Sequence, residues 1–401
     1  MPPYRKLGSV PPKRHTEHRV KPGYKHEGIY YEEVVTLVGF ARAYSIVYHL
    51  RPPTRVCKVE AAGEVKIDFA PDDVLRHVHL LSDKLPRGGS PISGRVPIMG
   101  NADVMLHRCR PIAPQEELYR NATADEVYFV HKGQGTLHTM FGPLPFKTCD
   151  YIVIPRCTTY RIEFDAATPP ELLIIESAGN VGIPPHYLNP DGQLKMGSPY
   201  YERDLHGPTE IAPLDKEGET TVLIKHFDKL TRYTLMHHPF DIVGWDGLVY
   251  PFTFNADDFE PITGAIHQPP PIHQTFEAPG FVICTFAPRF LDHHPDAIKI
   301  PYAHSNVECD EVLYYVRGHF GSRRGVGEAS FTLHPRGIPH GPHPGTIVAS
   351  RPMTRTDELA VMLDTFRPLR PTKVAMTLDD PKYPYSWMDE SPPITGSVLA
   401  T

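Results

Sequence analysis

Runs of apolar, β-branched and aromatic residues recur along the chain, and each is short. Thr220–Phe227 (TTVLIKHF), Gly280–Pro288 (GFVICTFAP) and Glu358–Phe366 (ELAVMLDTF) have the length and composition of strands. Between such runs, 45 prolines and 30 glycines break the pattern so often that long helices have little room. One stretch reads differently. Pro71–Asp83, PDDVLRHVHLLSD, opens with proline and acids ahead of apolar residues spaced at roughly 3.6, which predicts a short helix. The chain as a whole reads as all-β with few short helices.

The pattern also repeats. DEVYFVHKG from Asp125 and DEVLYYVRG from Asp310 align Glu126 with Glu311 and Gly133 with Gly318, each reading as acid, strand and glycine turn. Thr148–Tyr160 (TCDYIVIPRCTTY) likewise matches Ala329–His340 (ASFTLHPRGIPH): a strand runs into a proline, with a polar residue five positions further on. The repeat predicts two copies of one β-unit, in a first domain over 1–215 and a second over 216–401. A Pro/Gly-rich stretch from Gly179 to Lys216 would join them, and a proline-rich tail after Pro368 would lie over the surface.

A chain of 401 residues, 40% of them apolar, can bury a large core. Its 47 acidic residues outnumber 41 basic ones, and the bases are scattered apart from a cluster between Arg5 and Lys25, which argues against nucleic acid as a partner. The six cysteines form no CxxC pair, the opening MPPYRKLGSV lacks the apolar core of a signal peptide, and no stretch approaches the roughly 20 apolar residues of a membrane helix. A soluble cytoplasmic protein with no membrane partner is the expectation.

Chemistry concentrates in the second half, where His304-x6-Glu311-x6-Gly318 is followed by Pro335-x-Gly337-x-x-His340. Alternation along a strand sends Glu311 and Leu313 one way and Asp310 and Val312 the other, so only one of the two acids can join the histidines. The frame selects Glu311, with Asp310 as the alternative and Glu308 as a loop acid. Two imidazoles and one carboxylate are a common ligand set of mononuclear non-haem Fe(II) centres. In the first half Tyr119 and Tyr160 stand where His304 and His340 stand in the second, so that copy makes no such site. The frame resembles the two motifs of the cupin superfamily, which implies a bicupin of two jelly-roll or β-sandwich units.

Four stretches of the second half carry a closer resemblance: HHPFDIVGWDG from His237, AIHQPPPI around His267, APRFLDHHPDAIKIPYAHSN leading into His304, and LHPRGIPHGPHPG after it. Over residues 237–345 they resemble homogentisate 1,2-dioxygenase, and KRHTEHR from Lys13 looks like the shorter bacterial members. The resemblance implies an Fe(II) enzyme that opens the ring of homogentisate with O2 to give 4-maleylacetoacetate, a step of tyrosine and phenylalanine breakdown. It makes His304, Glu311 and His340 the iron ligands and His267 the acid/base on the substrate hydroxyl. Tyr302 and His334 would line the substrate pocket beside His340, although His334 could instead orient His340. Phe320 stands where the eukaryotic members have tyrosine, and Arg323 near a family lysine. His343 and the pairs His237–His238 and His293–His294 are expected as solvated loop residues. A small aromatic acid and O2 are the implied partners, in a homo-oligomer built from trimers (trimer or hexamer). The same triad also suits a dioxygenase of gentisate or a related hydroxylated aromatic acid, or a Zn/Mn sugar isomerase, and the silent first half would suit a non-enzymatic bicupin binding protein.

Overall fold

Three large sheets, antiparallel but for one strand pair, are stacked so that the middle one is covered on both faces. The structure, a computed structural model, describes residues 1–388 apart from His26, Asp73 and Arg324. The outer sheet of the first unit runs from Gly142–Phe146 through Gly135–Thr139, Tyr160–Phe164 and Leu118–Asn121 to Glu217–His226, Lys229–His237 and Val56–Glu64. The middle sheet centres on Asp150–Ile154, Asp125–Lys132, Glu171–Ser177 and Val104–Cys109. The third, six-stranded, sets Asp310–Arg317 between Leu359–Thr365 and Phe331–His334.

Pleating explains the stack. Along Asp125–Lys132, Tyr128 and Val130 pack towards the outer sheet, while Val127 and Phe129 pack against Val312, Tyr314 and Leu363 of the third. A strand buried on both faces needs no polar alternation, which is why Glu171–Ser177 (ELLIIES) reads as a continuous apolar run. Only two short α-helices occur among the described residues, and no helix there is long and apolar enough to cross a membrane. The fold is all-β.

The two repeats occupy the same topological places. Glu126 lies opposite Ile154 and Glu176, and Glu311 opposite His334 and Asp364. Tyr119 pairs with Tyr160 as His304 pairs with His340. Backbone conformation follows: Cys149 and Ala329, then Cys157 and Gly337, hold matching left-handed φ values of 70°, 60°, 68° and 81°. In each copy an arginine after the motif proline donates its backbone N–H and its Nε to one aspartate oxygen. The distances are 3.1 and 2.8 Å from Arg156 to Asp125, and 3.0 and 3.0 Å from Arg336 to Asp310. The repeated aspartate therefore buttresses a turn, and the glutamate beside it is left to face the interior.

Three expectations change. The described residues of Pro71–Asp83 form no α-helix: Val78–Leu80 is a strand paired with Phe331–Leu333, and only a 3-10 turn follows at Ser82–Lys84. An open edge of the third sheet outweighs a weak helical period. The sheets do not part at 215/216 either. Glu217–His226, Lys229–His237 and Phe252–Asn255 pair with first-half strands, Val78–Leu80 joins the third sheet, and Arg370–Pro371 joins the middle one. The Pro/Gly-rich stretch before 216 places Tyr187, Leu194, Tyr200 and Leu205 in the core, so its composition marks an absence of strands rather than a linker. Finally, the tail after Pro368 does not drape the surface. Its described part buries Leu369, Ala375 and Tyr383.

Candidate metal centre

His304 and His340 face each other across a two-residue ladder, His304–Ser305 with Pro339–His340, and their rings lie 4.3 Å apart. Glu311 enters from the neighbouring strand on the pleat face it shares with Leu313 and Tyr315, which line the same cavity. One ligand atom from each of His304, Glu311 and His340 falls within 4.8 Å of the others. His304 Nε2 is 3.7 Å from Glu311 Oε2, and His340 Nε2 is 3.3 Å from Glu311 Oε1. The Tyr302 carbonyl, 3.3 Å from His304 Nδ1, leaves Nε2 free to ligate.

Burial tests whether a cation belongs here. His340 is 3% exposed, and neither of its ring nitrogens makes a hydrogen bond with any described group. A buried imidazole left so is costly unless something else binds it. Burial pushes the Glu311 carboxyl up, but contacts with His304, His334 and His340 outweigh it and hold the group well below the usual range. The same contact with Glu311 raises the His304 imidazole. Two nitrogens and an anionic oxygen on one face, with His304 still 30% exposed towards the cavity, fit a divalent transition metal with open positions.

Around this set the residues divide. His334 is fully buried and does not border the cavity: its Nδ1 is 2.8 Å from Glu311 Oε1 and its Nε2 is 3.0 Å from the Tyr383 hydroxyl. Burial pushes its pKa down to about 3. The neutral ring donates from Nδ1 to Glu311 and accepts from Tyr383, so it orients the carboxylate, and it stacks on the His340 ring with centroids 4.4 Å apart. His267 lines the cavity with Nδ1 3.5 Å from Asp292 Oδ2; burial lowers its pKa and Asp292 opposes. Tyr302, 48% exposed, is not among the residues that line the cavity, and its ring lies 5.4 Å from that of His267.

Of the other residues of the site, the sequence marks Phe320 and Arg323 but not His273, Met362 or Asp364. His273 is buried in the cavity wall with Nδ1 unpartnered, and burial holds it well below the usual histidine range. Arg323 donates Nη1 to the Gly341 carbonyl at 2.7 Å, and among the described residues no carboxylate lies within ion-pair distance of it. Phe320 and Met362 supply apolar wall. Asp364, opposite Glu311, has a buried Oδ1 without a partner; burial, then the charge of Glu311, pushes its carboxyl up to about 7. His343 and His237, expected in solvent, are each 1% exposed, and His343 bonds Ser386 of the tail at 2.8 Å. Extending the repeat by one strand would have singled out Asp364, opposite Glu311 as Glu176 is opposite Glu126. Nothing in YPYSW marks Tyr383 as a neighbour of a residue 49 positions away.

The cavity encloses about 60 Å³. Ligand sites usually offer roughly 300–1,000 Å³, so this cavity is small for one. A roomier hollow of about 840 Å³, between Arg87 and Pro170, contains none of these groups.

In the silent copy the place of the metal is filled by a side chain. Arg95 Nη1 lies 2.6 Å from Glu126 and 2.9 Å from Glu176, Tyr160 donates to Glu126 at 2.5 Å, and Lys225 also bonds Glu176. The guanidinium is the cation the two carboxylates share, with Tyr160 and Asn121 completing Glu126 and Lys225 completing Glu176. Arg95→Met should cost about 3–5 kcal/mol of stability, the penalty for stripping one partner from a buried ion pair, without altering metal stoichiometry. Denaturant unfolding beside metal analysis would check both.

A family model described as "Homogentisate 1,2-dioxygenase N-terminal" matches residues 101–256, a span ending just past Phe252–Asn255, an edge strand of the middle sheet. A putative dioxygenase of Saccharolobus solfataricus is 39% identical over 387 residues, covering 96% of this chain and 98% of its own. A homogentisate 1,2-dioxygenase of Rhodopseudomonas palustris is 26% identical over 66% of this chain, and the matched part is 60% of that enzyme's length. Among solved structures, a "Cupin 2 conserved barrel domain protein" from Leptotrichia buccalis is 10% identical with a TM-score of 0.31, covering 76% of this chain and 99% of its own.

Proposed function

As the chain belongs to the homogentisate 1,2-dioxygenase family, a family of cupin dioxygenases, we propose that it is an Fe(II)-dependent ring-cleaving enzyme converting homogentisate and O2 to 4-maleylacetoacetate in tyrosine and phenylalanine catabolism. The observation that carries this reading is His340, buried and without a hydrogen bond beside Glu311 and His304. These three residues hold the iron. Bound there, iron would supply the electronic coupling between substrate and dioxygen.

The protein's own groups do the rest. The Arg323 guanidinium, facing the cavity without a carboxylate of its own, takes the carboxylate of the aromatic acid. Phe320, Phe286 and Met362 pack against the ring and exclude water. His267, kept neutral by burial, accepts the phenolic proton, and Asp292 stabilises the imidazolium that results. His334, pinned by Tyr383, holds Glu311 in place.

Protein loaded anaerobically with Fe(II) should consume one O2 per homogentisate and release a ring-opened enone acid seen by its absorbance. Cleavage of gentisate alone would redirect the reading to a related hydroxylated aromatic acid, with Phe320 as the residue that sets the preference. A chain that binds zinc and takes up no oxygen with any hydroquinone would overturn it. Assembly into trimers or hexamers is part of the proposal: Val38 and Phe40, 69% and 85% exposed at a hairpin tip, are apolar surface that a second copy could cover. Sedimentation as a monodisperse monomer would count against that part.

A further inference from the structure

One half of the chain interprets the other. In the first unit two carboxylates grip a cation, Glu126 and Glu176 on Arg95, and the two are cross-strand partners in register. The same register positions in the second unit hold Glu311 and Asp364. Asp364 follows Ala360 and Met362 on the face of its strand that lines the cavity, so its carboxylate points into the space Glu311 faces. Its Oδ1 is buried without a partner, which folding disfavours unless something else binds that oxygen. Asp364 is not among the three residues whose ligand atoms fall within 4.8 Å, and aspartate is one methylene shorter than the glutamate that grips Arg95. Asp364 thus faces the ligand set from outside it.

We propose that Asp364 is the second carboxylate of the metal centre, holding the cation from the outer sphere through one of its water ligands. The inference rests on the metal centre proposed above. Asp364 is a positioning residue: it fixes that water and sets a second negative charge against a divalent cation, as Glu176 does against a guanidinium. No redox or covalent step is involved.

The test uses Mn(II) on the full chain, with affinity from calorimetry and water-proton relaxation reporting the water on the bound ion. Asp364→Asn keeps the size and removes the charge; it should weaken Mn(II) binding about 10–100-fold, the usual effect of losing an outer-sphere partner, and change the relaxation enhancement. Asp364→Glu should bind close to wild type. Should Asp364→Asn fail to fold, Asp364→Ser carries the same comparison. Wild-type affinity and relaxation in Asp364→Asn, with Mn(II) lost in Glu311→Ala, would overturn the role of Asp364 and leave the metal centre standing. Weakening without a change in relaxation, or without recovery in Asp364→Glu, would overturn it as well. Mn(II) uptake that is equal in wild type and Glu311→Ala would overturn both.

Discussion

Glu311→Ala is expected to lose bound metal and ring-cleaving activity together. Glu311 is the one anion among the three ligands, and its replacement leaves two imidazoles with no charge to balance a divalent cation. The damage extends outward, because His334 Nδ1 donates to Glu311 and would face a void in a fully buried position. Metal content after dialysis should fall from one equivalent per chain to near none, and added metal should not restore turnover. Asp310→Ala is the contrasting case. Asp310 is occupied by the Arg336 side chain and backbone and by the Leu369 N–H at 2.7 Å, so it has no oxygen to spare for a cation. Its loss should cost about 1–3 kcal/mol of stability, the range for hydrogen bonds to a charged group, with metal content unchanged. The reverse pattern, metal lost with Asp310→Ala and kept with Glu311→Ala, would make Asp310 the ligand.

These two neighbours show what the sequence could and could not specify. Period-two alternation was enough to separate Asp310 from Glu311, because a pleat admits only one of them to the interior. The repeat was enough to predict that Tyr119 and Tyr160 replace the histidines of the first copy, and their pairing confirms the frame. What filled the vacated place was invisible, since Arg95 lies outside both motifs and reaches Glu126 across the barrel from another strand. Pro71–Asp83 misled for a related reason: its helical spacing is a local signal, and the Phe331–His334 strand supplies backbone partners that a local signal does not register. Composition failed at the tail. Proline-rich sequence was read as surface dressing, whereas Tyr383, Ser386 and Trp387 contact His334, His343 and the Gly341 carbonyl and form the back of the site. Sequence spacing registers partners on one strand or across one turn; these partners meet only because the chain returns.

His267→Ala should keep the metal and lose turnover by about 10²–10⁴-fold, the typical contribution of a general base. His267 is not in the ligand set, so its removal leaves His304, Glu311 and His340 with their donors intact. It lines the cavity that those ligands open into, and its Nδ1 contact with Asp292 leaves Nε2 for a substrate hydroxyl. Burial lowers its pKa below the ordinary value while Asp292 works the other way. A base is active only when deprotonated, so the rate should fall as pH drops through that lowered pKa, and the acid limb should lie below the usual histidine value of about 6.5. Asp292→Asn removes the group that raises it, so the limb should move further towards acid. Arg323→Met separates binding from chemistry: a lost anchor for the substrate carboxylate should raise KM more than it lowers kcat. Full pH profiles of kcat and kcat/KM for the three variants, each loaded to one iron per chain, would distinguish these roles. If His267→Ala instead raised KM alone, His267 would be a binding residue, and the phenolic proton would have to leave by way of His273, the other cavity imidazole with a buried nitrogen unpaired.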